Sequence, residues 1–205
     1  MIGAPIVIQL FLESLSLNNM KVSKNKLSYT RSGKPVVLSG KALFKGKLLN
    51  LHKASVNLPT GYAAELEIIK HPGAALVVPV LPGNKIVMLR QFRPVIGKYI
   101  YELPAGTLEK GENPLSCARR EIEEETGYHA DKFKRLGTIF PVPGYSTEKI
   151  EIFKATGLKK RRFSPERDEV ISVFVVTKLQ IRELLRKGKL VDAKTICAFC
   201  LCGWI

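Results

Sequence analysis

The chain has 205 residues, of which 45% are hydrophobic and 25% are charged. This composition is sufficient to bury one core with a small accessory layer, and it argues against a disordered chain. No repeat of fixed period is present, which argues against a solenoid or a propeller. The formal net charge of +15 favours anionic partners, but it does not choose among nucleotides, nucleic acids and acidic membranes.

The first 19 residues form an unusual apolar segment. Ile2 to Leu17 lacks the basic leading region of a signal peptide, is interrupted by Gln9 and Glu13, and is too short to span a membrane. We interpret residues 1–19 as a dispensable extension, with an upstream start codon as one origin to test. An intact mass of the native protein that includes Met1 would contradict that origin.

Short β-prone runs separated by glycine and asparagine follow, and they predict about three antiparallel strands. These runs are Ala42–Phe44, Leu48–Leu51 and Ala63–Ile69. Two continuous apolar runs then flank a Leu81-Pro82-Gly83-Asn84 turn and predict a buried hairpin, with a further strand after it. These three segments are Ala74–Val80, Ile86–Leu89 and Tyr99–Leu103. We predict a lead-in over residues 1–35, a small antiparallel β-domain over 36–70 and a main domain over 71–205.

A helix is predicted after Asn113, because asparagine is a favourable N-cap, proline suits the first helical position and Gly127 is a typical C-terminal stop. Its apolar face is predicted to contain Leu115, Ala118 and Ile122. The remaining chain predicts three strands and then two helices, at Leu136–Phe140, Lys149–Ala155, Val170–Val176, Leu179–Arg186 and Ala193–Cys202. A mixed sheet with helices on both sides gives an α/β fold class, specifically an α/β/α sandwich.

The predicted helix carries a cluster of carboxylates. Glu121 lies three and four residues before Glu124 and Glu125, so we expect all three on one side, opposite the apolar stripe. Like charges so placed destabilise a helix, and a divalent cation such as Mg²⁺, which prefers oxygen ligands, would offset that cost. Arg120 can pair with a neighbouring carboxylate, and the glycine-bounded loop before the helix can bring Glu112 near. Taken alone, the glutamates would favour an exposed acidic helix.

The complete spacing resembles a known motif. From Gly106 to Tyr128 it matches the Nudix box, Gly-x5-Glu-x7-Arg-Glu-hydrophobic-x-Glu-Glu-x-Gly-hydrophobic, with Tyr128 the loosest fit. Over roughly residues 36–205 the chain further resembles the ADP-ribose pyrophosphatase subfamily, in which a marker proline lies where this chain has Pro143, 16 residues after Gly127. The supporting motifs are Gln91-Phe92-Arg93, Glu102-Leu103-Pro104-Ala105-Gly106, Pro143-Gly144-Tyr145-Ser146-Thr147-Glu148 and Asp192-Ala193-Lys194-Thr195.

The resemblance implies a Nudix α/β/α sandwich that cleaves the pyrophosphate of ADP-ribose to AMP and ribose 5-phosphate. It implies Mg²⁺, for which Mn²⁺ can substitute, held by Glu121, Glu125 and the backbone carbonyl of Ala105. Glu124 or Glu112 would assist, and Arg120 would orient a carboxylate.

The resemblance also implies substrate-binding residues. Arg93 is a candidate phosphate or ribose clamp, or alternatively a member of a surface ion pair. Glu102 could bind the adenine or a ribose hydroxyl, or could simply be solvated at a strand end. Gly144 and Glu148 complete the expected substrate-binding set.

The general base is expected in the segment before the last strand, where alignment of the apolar residues favours Glu169, with Glu166 second. A solvated acidic loop is the alternative. The chain departs from relatives here, since Arg167 occupies a position that is often acidic. It also departs upstream, since Leu66 lies where many relatives have an arginine. The resemblance implies a homodimer formed through the small β-domain.

Cysteine use indicates a reducing compartment, and we predict a cytoplasmic protein whose thiols act as small buried hydrophobes. The basic run from Lys159 to Arg162 is interpreted as a solvated loop, so nucleic acid and membranes are not expected partners. The open alternatives are another Nudix substrate (GDP-mannose or another nucleotide sugar, NADH, or a dinucleoside polyphosphate) or a non-catalytic module that binds nucleotide or RNA.

Overall fold

The computed structural model describes residues 36–47, 49–161 and 170–205. The small N-terminal sheet has three antiparallel strands in the order β1-β2-β3, formed by Val36–Lys45, Asn50–Asn57 and Ala63–Ile69. The predicted three strands are confirmed, but the second was placed too early, because its inward side chains are the later Ala54 and Val56.

The main sheet has seven strands: β4 Ala74–Leu81, β5 Lys85–Arg93, β6 Lys98–Glu102, β7 Ala105–Thr107, β8 Tyr128–Ile139, β9 Ile150–Lys160 and β10 Ile171–Thr177. Five follow the order β10-β5-β4-β9-β8, while β6 pairs with β5 and β7 with β4. Strands β4 and β9 run parallel, with Val77 opposite Phe153. The predicted hairpin is confirmed, although β4 and β5 pair only next to the turn, at Val80–Ile86 and Leu81–Lys85.

Three α-helices complete the described fold: α1 Pro114–Thr126, α2 Lys178–Arg186 and α3 Ala193–Leu201, with a single 3₁₀ turn at Pro94–Ile96. The predicted start of α1 is confirmed, since the Asn113 side chain accepts hydrogen bonds from the N–H groups of Leu115 and Ser116. Its end is confirmed as well, because Gly127 adopts φ 69° and donates its N–H to the Glu123 carbonyl. The two C-terminal helices lie within one residue of their predicted limits.

The helices cover both faces of the main sheet, which confirms the α/β/α sandwich. Alternate residues of β4 point to opposite faces, as the two-residue period of a strand requires. Leu76 and Val78 pack with Ile181 of α2 and Phe199 of α3. The intervening residues of β4 pack against α1, in a cluster that contains Ala75, Val77, Cys117, Ala118, Ile122 and Phe153. Strand β4 is therefore buried on both sides, which explains its continuous apolar sequence.

Several local predictions were wrong. Leu115 is exposed and Cys117 takes its place in the core, because the buried face of α1 keeps Ala118 and Ile122 but is centred to one side of the predicted stripe. The strand predicted at Leu136–Phe140 is the end of β8, and the charged first part of β8, which begins at Tyr128 directly after α1, was missed. Lys159 and Lys160 lie in β9 and not in a loop, although both are exposed. Of the four free cysteines, Cys117 is buried whereas Cys200 is exposed.

Among the helices that the structure describes, none has the length and apolarity needed to cross a membrane.

Candidate active site

The site is built around a short segment, Leu103–Thr107, that lies between β4 and α1. Strand β7 pairs with the start of β4, and the Val77 N–H donates to the carbonyl of Pro104 at 2.9 Å. On the helix side, the Ala105 N–H donates to Glu125 Oε2 at 2.9 Å. The segment is thus attached to the sheet and to α1 at adjacent residues, which fixes the backbone of Ala105.

Glycine at position 106 allows the helix to approach this segment closely. A Cβ atom placed on Gly106 would lie 1.7 Å from Glu121 Oε1 and 2.1 Å from Glu121 Cδ. The space that any other residue would fill is therefore occupied by a carboxylate of α1. The first glycine of the motif is explained by this contact, whereas Gly111 has φ 82° and serves the turn before the helix.

The burial of the carboxylates corrects one expectation. Glu121 and Glu125 are only 7% and 3% exposed, and they lie on the buried side of α1 next to Ile122, not opposite the apolar stripe. Glu124 and Glu112 are only partly buried. Because a buried carboxylate requires hydrogen bonds or a cation to offset its lost hydration, the two inner glutamates form the part of the cluster with the strongest demand for positive charge.

Arg120 supplies part of that charge by contacting three of the four carboxylates. Its Nη1 donates to Glu121 Oε1 at 2.7 Å and to Glu124 Oε2 at 3.0 Å, while Nε and Nη2 donate to the two oxygens of Glu112 at 3.1 Å. The hydrogen bonds that Arg120 donates to Glu112 are the main cause of both the raised pKa of Arg120 and the lowered pKa of Glu112. Glu112 is therefore held as an ionised carboxylate.

Cys117 lies directly beneath this cluster. Its Sγ donates to the Gly106 carbonyl at 3.4 Å and lies 3.6 Å from Arg120 Nη2. Burial, together with the negative charges of Glu121 and Glu112, raises the pKa of the thiol to about 12. Cys117 is therefore a neutral packing residue at neutral pH, as predicted for the buried thiols.

The donor set fits a hard divalent cation. Within the described ranges, no group of three or more acidic, histidine or cysteine side chains converges closely enough to enclose a metal ion. Mg²⁺ does not require such a group, because it is commonly bound by one or two carboxylates and completes its shell with water and substrate phosphate oxygens. Two buried carboxylates beside a fixed backbone segment, with no sulfur or imidazole among the candidate ligands, match that preference.

A second charged cluster joins β5, β6 and α3. Arg93 donates from Nε and Nη2 to the two oxygens of Glu102, each at 2.7 Å, and Lys194 also forms an ion pair with Glu102. Glu102 is 1% exposed, so the solvated alternative for this residue was wrong. Burial raises its pKa, but Arg93 and Lys194 outweigh that effect and the pKa is lowered. Arg93 therefore forms an ion pair, as its alternative interpretation proposed, but the partner, Glu102, is buried.

The other predicted substrate residues lie on the loop between β8 and β9. Gly144 is exposed, and the Glu148 N–H donates to Ser146 Oγ at 3.1 Å. The loop is attached to the end of the small sheet, since the N–H of Ile69 donates to the Tyr145 carbonyl at 2.8 Å and the N–H of Thr147 to the Ile69 carbonyl at 3.0 Å. Glu166 and Glu169, the candidate bases, and the adjacent Arg167 lie outside the described residues.

Sequence reasoning missed Lys194, a partner of the buried Glu102, and the buried acid Glu151. Lys194 belongs to the Asp192-Ala193-Lys194-Thr195 motif, but it was given no role. The available signal was its place in the first helical turn, two residues after the N-cap Asp192. Glu151 is buried on β9 and is paired with Arg135 at 2.6 Å and with Lys149 at 2.6 Å. Its only sequence signal was an acidic residue within an apolar strand.

Comparison with known proteins identifies relatives over most of the chain. Residues 70–199 match the family model described as NUDIX domain. The chain is 40% identical over 155 residues to an ADP-ribose pyrophosphatase of Bacillus subtilis (strain 168), covering 75% of this chain and 84% of the relative. It is 37% identical over 158 residues to a methanol dehydrogenase activator of Bacillus methanolicus, with 76% and 85% covered. A crystal structure of an ADP compounds hydrolase matches the fold with a TM-score of 0.72 at 19% identity, covering 84% of this chain and 94% of that chain.

Proposed function

Since this chain belongs to the Nudix family, we propose that it hydrolyses the pyrophosphate bond of ADP-ribose, releasing AMP and ribose 5-phosphate, with Mg²⁺ as its cofactor. One observation carries the proposal: the Nudix glutamates Glu121 and Glu125 are buried against the Ala105–Thr107 strand, in a chain that is 40% identical to an ADP-ribose pyrophosphatase.

Glu121, Glu125 and the Ala105 carbonyl would hold the cation, with Glu124 or Glu112 assisting, and Mn²⁺ can replace Mg²⁺. When bound, the cation supplies Lewis acidity that withdraws negative charge from the pyrophosphate and makes water more acidic. Arg120 orients Glu112, Glu121 and Glu124 through four hydrogen bonds of 2.7–3.1 Å. The buried carboxylates are thereby positioned before the substrate arrives.

Arg93 would bind the substrate's phosphates or ribose. Its contact with Glu102 uses one edge of the guanidinium, formed by Nε and Nη2, so the N–H groups of Nη1 and one of Nη2 can meet an oxyanion. Glu102 orients that guanidinium, and this is the role we now favour for it over direct contact with adenine. Gly144 and Glu148 would contribute from the loop between β8 and β9.

We propose Glu169 as the general base that deprotonates the attacking water, with Glu166 as the second candidate. The Glu169→Gln variant should lose at least about two orders of magnitude in kcat, because the amide cannot accept the proton. The Glu166→Gln variant is its matched control on the same segment. A loss below about fivefold in Glu169→Gln, with a large loss in Glu166→Gln, would transfer the role to Glu166.

We propose a homodimer formed through the small sheet, in a reducing compartment such as the cytoplasm. The sheet presents large exposed apolar side chains, among them Phe44, Tyr62 and Leu66 at 57%, 69% and 39% exposure, and such surfaces commonly mark interfaces. Light scattering at micromolar concentration should give a dimer mass. A monomer mass would contradict the proposed assembly.

The activity is tested by product analysis of the purified protein with Mg²⁺ and, separately, ADP-ribose, GDP-mannose, NADH and a diadenosine polyphosphate. We expect preferential release of AMP and ribose 5-phosphate from ADP-ribose, with activity lost in Glu125→Gln. Glu123→Gln is the matched control, since Glu123 lies on the same helix but contacts His129. Preferred cleavage of another compound would support the proposed pyrophosphate hydrolysis but would contradict ADP-ribose as the substrate. Cleavage of none, with several divalent cations tried, would favour the non-catalytic binding module.

A further inference from the structure

We propose that Lys194 is a positioning residue for the substrate's phosphates, acting on Arg93 through the buried carboxylate of Glu102. The inference rests on the proposed phosphate-binding role of Arg93 and extends it to a helix that carries no residue of the Nudix box. Lys194 lies in the first turn of α3, 92 residues from Glu102 in sequence.

The contacts form a continuous chain. Arg93 binds both oxygens of Glu102, Lys194 binds Glu102 Oε2, and Lys194 also lies 3.0 Å from Asp192 Oδ1. Glu102 Oε2 is therefore shared between Arg93 Nη2 and Lys194 Nζ. Because both oxygens of the carboxylate have cationic partners, the carboxylate plane and with it the guanidinium plane are fixed.

Within this row of contacts, burial decreases from Glu102 at the centre to Arg93, the side chain that would meet the substrate. The side chains of Glu102, Lys194 and Arg93 are 1%, 20% and 39% exposed, respectively. Lys194 is therefore covered enough to act on Glu102 with little screening, while Arg93 keeps an accessible edge. This arrangement suits a supporting cation behind a binding cation, since hydrogen bonds between charged groups are strongest where water is excluded.

The first turn of α3 is itself anchored to the same segment. The Asp192 side chain accepts the Thr195 N–H at 3.1 Å, and Thr195 Oγ1 accepts the Leu103 N–H at 2.9 Å. Thr195 is completely buried. Helix α3 thus contacts the side chain of Glu102 and the backbone of the next residue, so Lys194 is held at a defined place and does not sample alternatives as a surface lysine does.

The net charge of the cluster predicts how loss of Lys194 would change substrate binding. Arg93 and Lys194 carry two positive charges against the two negative charges of Glu102 and Asp192, so the cluster is neutral. Without Lys194 the cluster would carry one net negative charge next to the site of an anionic substrate, and Arg93 would be the only cationic partner of Glu102 within it. Both changes weaken substrate binding more than they affect the reacting atoms.

The test is a double-mutant cycle in the full chain, with kcat and KM measured for whichever compound of the panel the wild type cleaves. Lys194→Met should raise KM about tenfold or more, the effect expected for one lost hydrogen bond between charged groups, with kcat changed less than about threefold. Lys194→Arg should restore KM to within about threefold of wild type. In an Arg93→Ala background, Lys194→Met should raise KM by a clearly smaller factor than in the wild type, because only the change in net charge remains once Arg93 is absent.

Lys189→Met is the matched control, since Lys189 is an exposed lysine on the loop before α3, and it should leave KM and kcat unchanged. An unchanged KM in Lys194→Met, an undiminished effect in the Arg93→Ala background, or failure of Lys194→Arg to rescue would overturn the inference. An unchanged KM in Arg93→Ala alone would overturn it as well, while AMP release by the wild type would still support the proposed hydrolysis.

A second measurement does not depend on turnover. In a ¹H–¹⁵N spectrum of the arginine Nε–H groups, the Arg93 resonance can be assigned by its loss in Arg93→Lys. Lys194→Met should shift that resonance and Lys189→Met should not. If the wild type cleaves no compound of the panel, the proposed function fails, and this spectrum still decides whether Lys194 acts on Arg93; an unshifted resonance refutes it.

Discussion

Replacing Gly106 with alanine tests whether the Glu121 carboxylate must lie against the Ala105–Thr107 strand for hydrolysis to occur. The added Cβ would lie 1.7 Å from Glu121 Oε1, whereas real Cβ atoms essentially never approach a neighbour closer than 3.0 Å. The carboxylate must therefore retreat by about 1 Å or more, and a displacement of that size in a catalytic group can reduce the rate about a hundredfold.

The cost to stability should be smaller than the cost to activity. The clashing atoms are the far end of a flexible side chain, so the helix and the strand can keep their places. Rotation of the Glu121 side chain would break its 2.7 Å ion pair with Arg120, which predicts a loss of about 1–3 kcal/mol in the free energy of unfolding. We therefore expect Gly106→Ala to fold, with kcat/KM at least about a hundredfold lower.

The assay pairs urea unfolding with AMP release at saturating Mg²⁺. Gly137→Ala is the matched control, because its Cβ would meet the flexible end of Leu201 at 3.2 Å, away from the carboxylates, and it should remain active. A folded Gly106→Ala protein with activity close to wild type would refute the assignment of Glu121 as a cation ligand held in this position.

Three further predictions concern stability and reactivity. Burial raises the pKa of Glu151, but hydrogen bonds from its cationic neighbours outweigh it and hold the pKa at about 2, against 4.5 unperturbed. Allowing for solvent screening of those neighbours, Glu151→Gln should lower the free energy of unfolding by about 2 kcal/mol at pH 7. In urea titrations this difference from wild type should shrink as pH falls below about 4.5 and should vanish near pH 2. In the native protein a thiol reagent should label exposed Cys200, and should label Cys117 only after unfolding, as peptide mass spectrometry can report. Asn113→Ala should lower the unfolding free energy by about 1 kcal/mol through loss of the N-cap, also measured with urea.

The fold was predictable where a signal is local. The limits of α1 followed from Asn113, Pro114 and Gly127, each of which acts within one helical turn. The two faces of β4 followed from an apolar run that is buried on both sides. The first part of strand β8 escaped prediction because it is a polar stretch, Tyr128 to Arg135, which pairs with β9 so that Tyr128 lies opposite Lys160. Backbone hydrogen bonds to β9, and not the side-chain pattern, determine that part of the strand.

In the candidate site, too, the local features could be predicted from the sequence and the contacts between distant residues could not. The carboxylates of α1 are separated by at most four residues, so their convergence could be derived from spacing, as could the approach of Arg120 and Glu112. The match to the Nudix box then assigned roles to these residues. The rotation of that cluster towards the core could not be derived, because it depends on the absence of a side chain at Gly106, on a different strand. The partners of Glu102 lie 9 residues before it and 92 residues after it. Only the position of α3 beside Glu102 brings Lys194 to a buried carboxylate that Arg93 would otherwise support alone. The residue that we propose to position the phosphate clamp is therefore also the one whose role could not be read from the sequence.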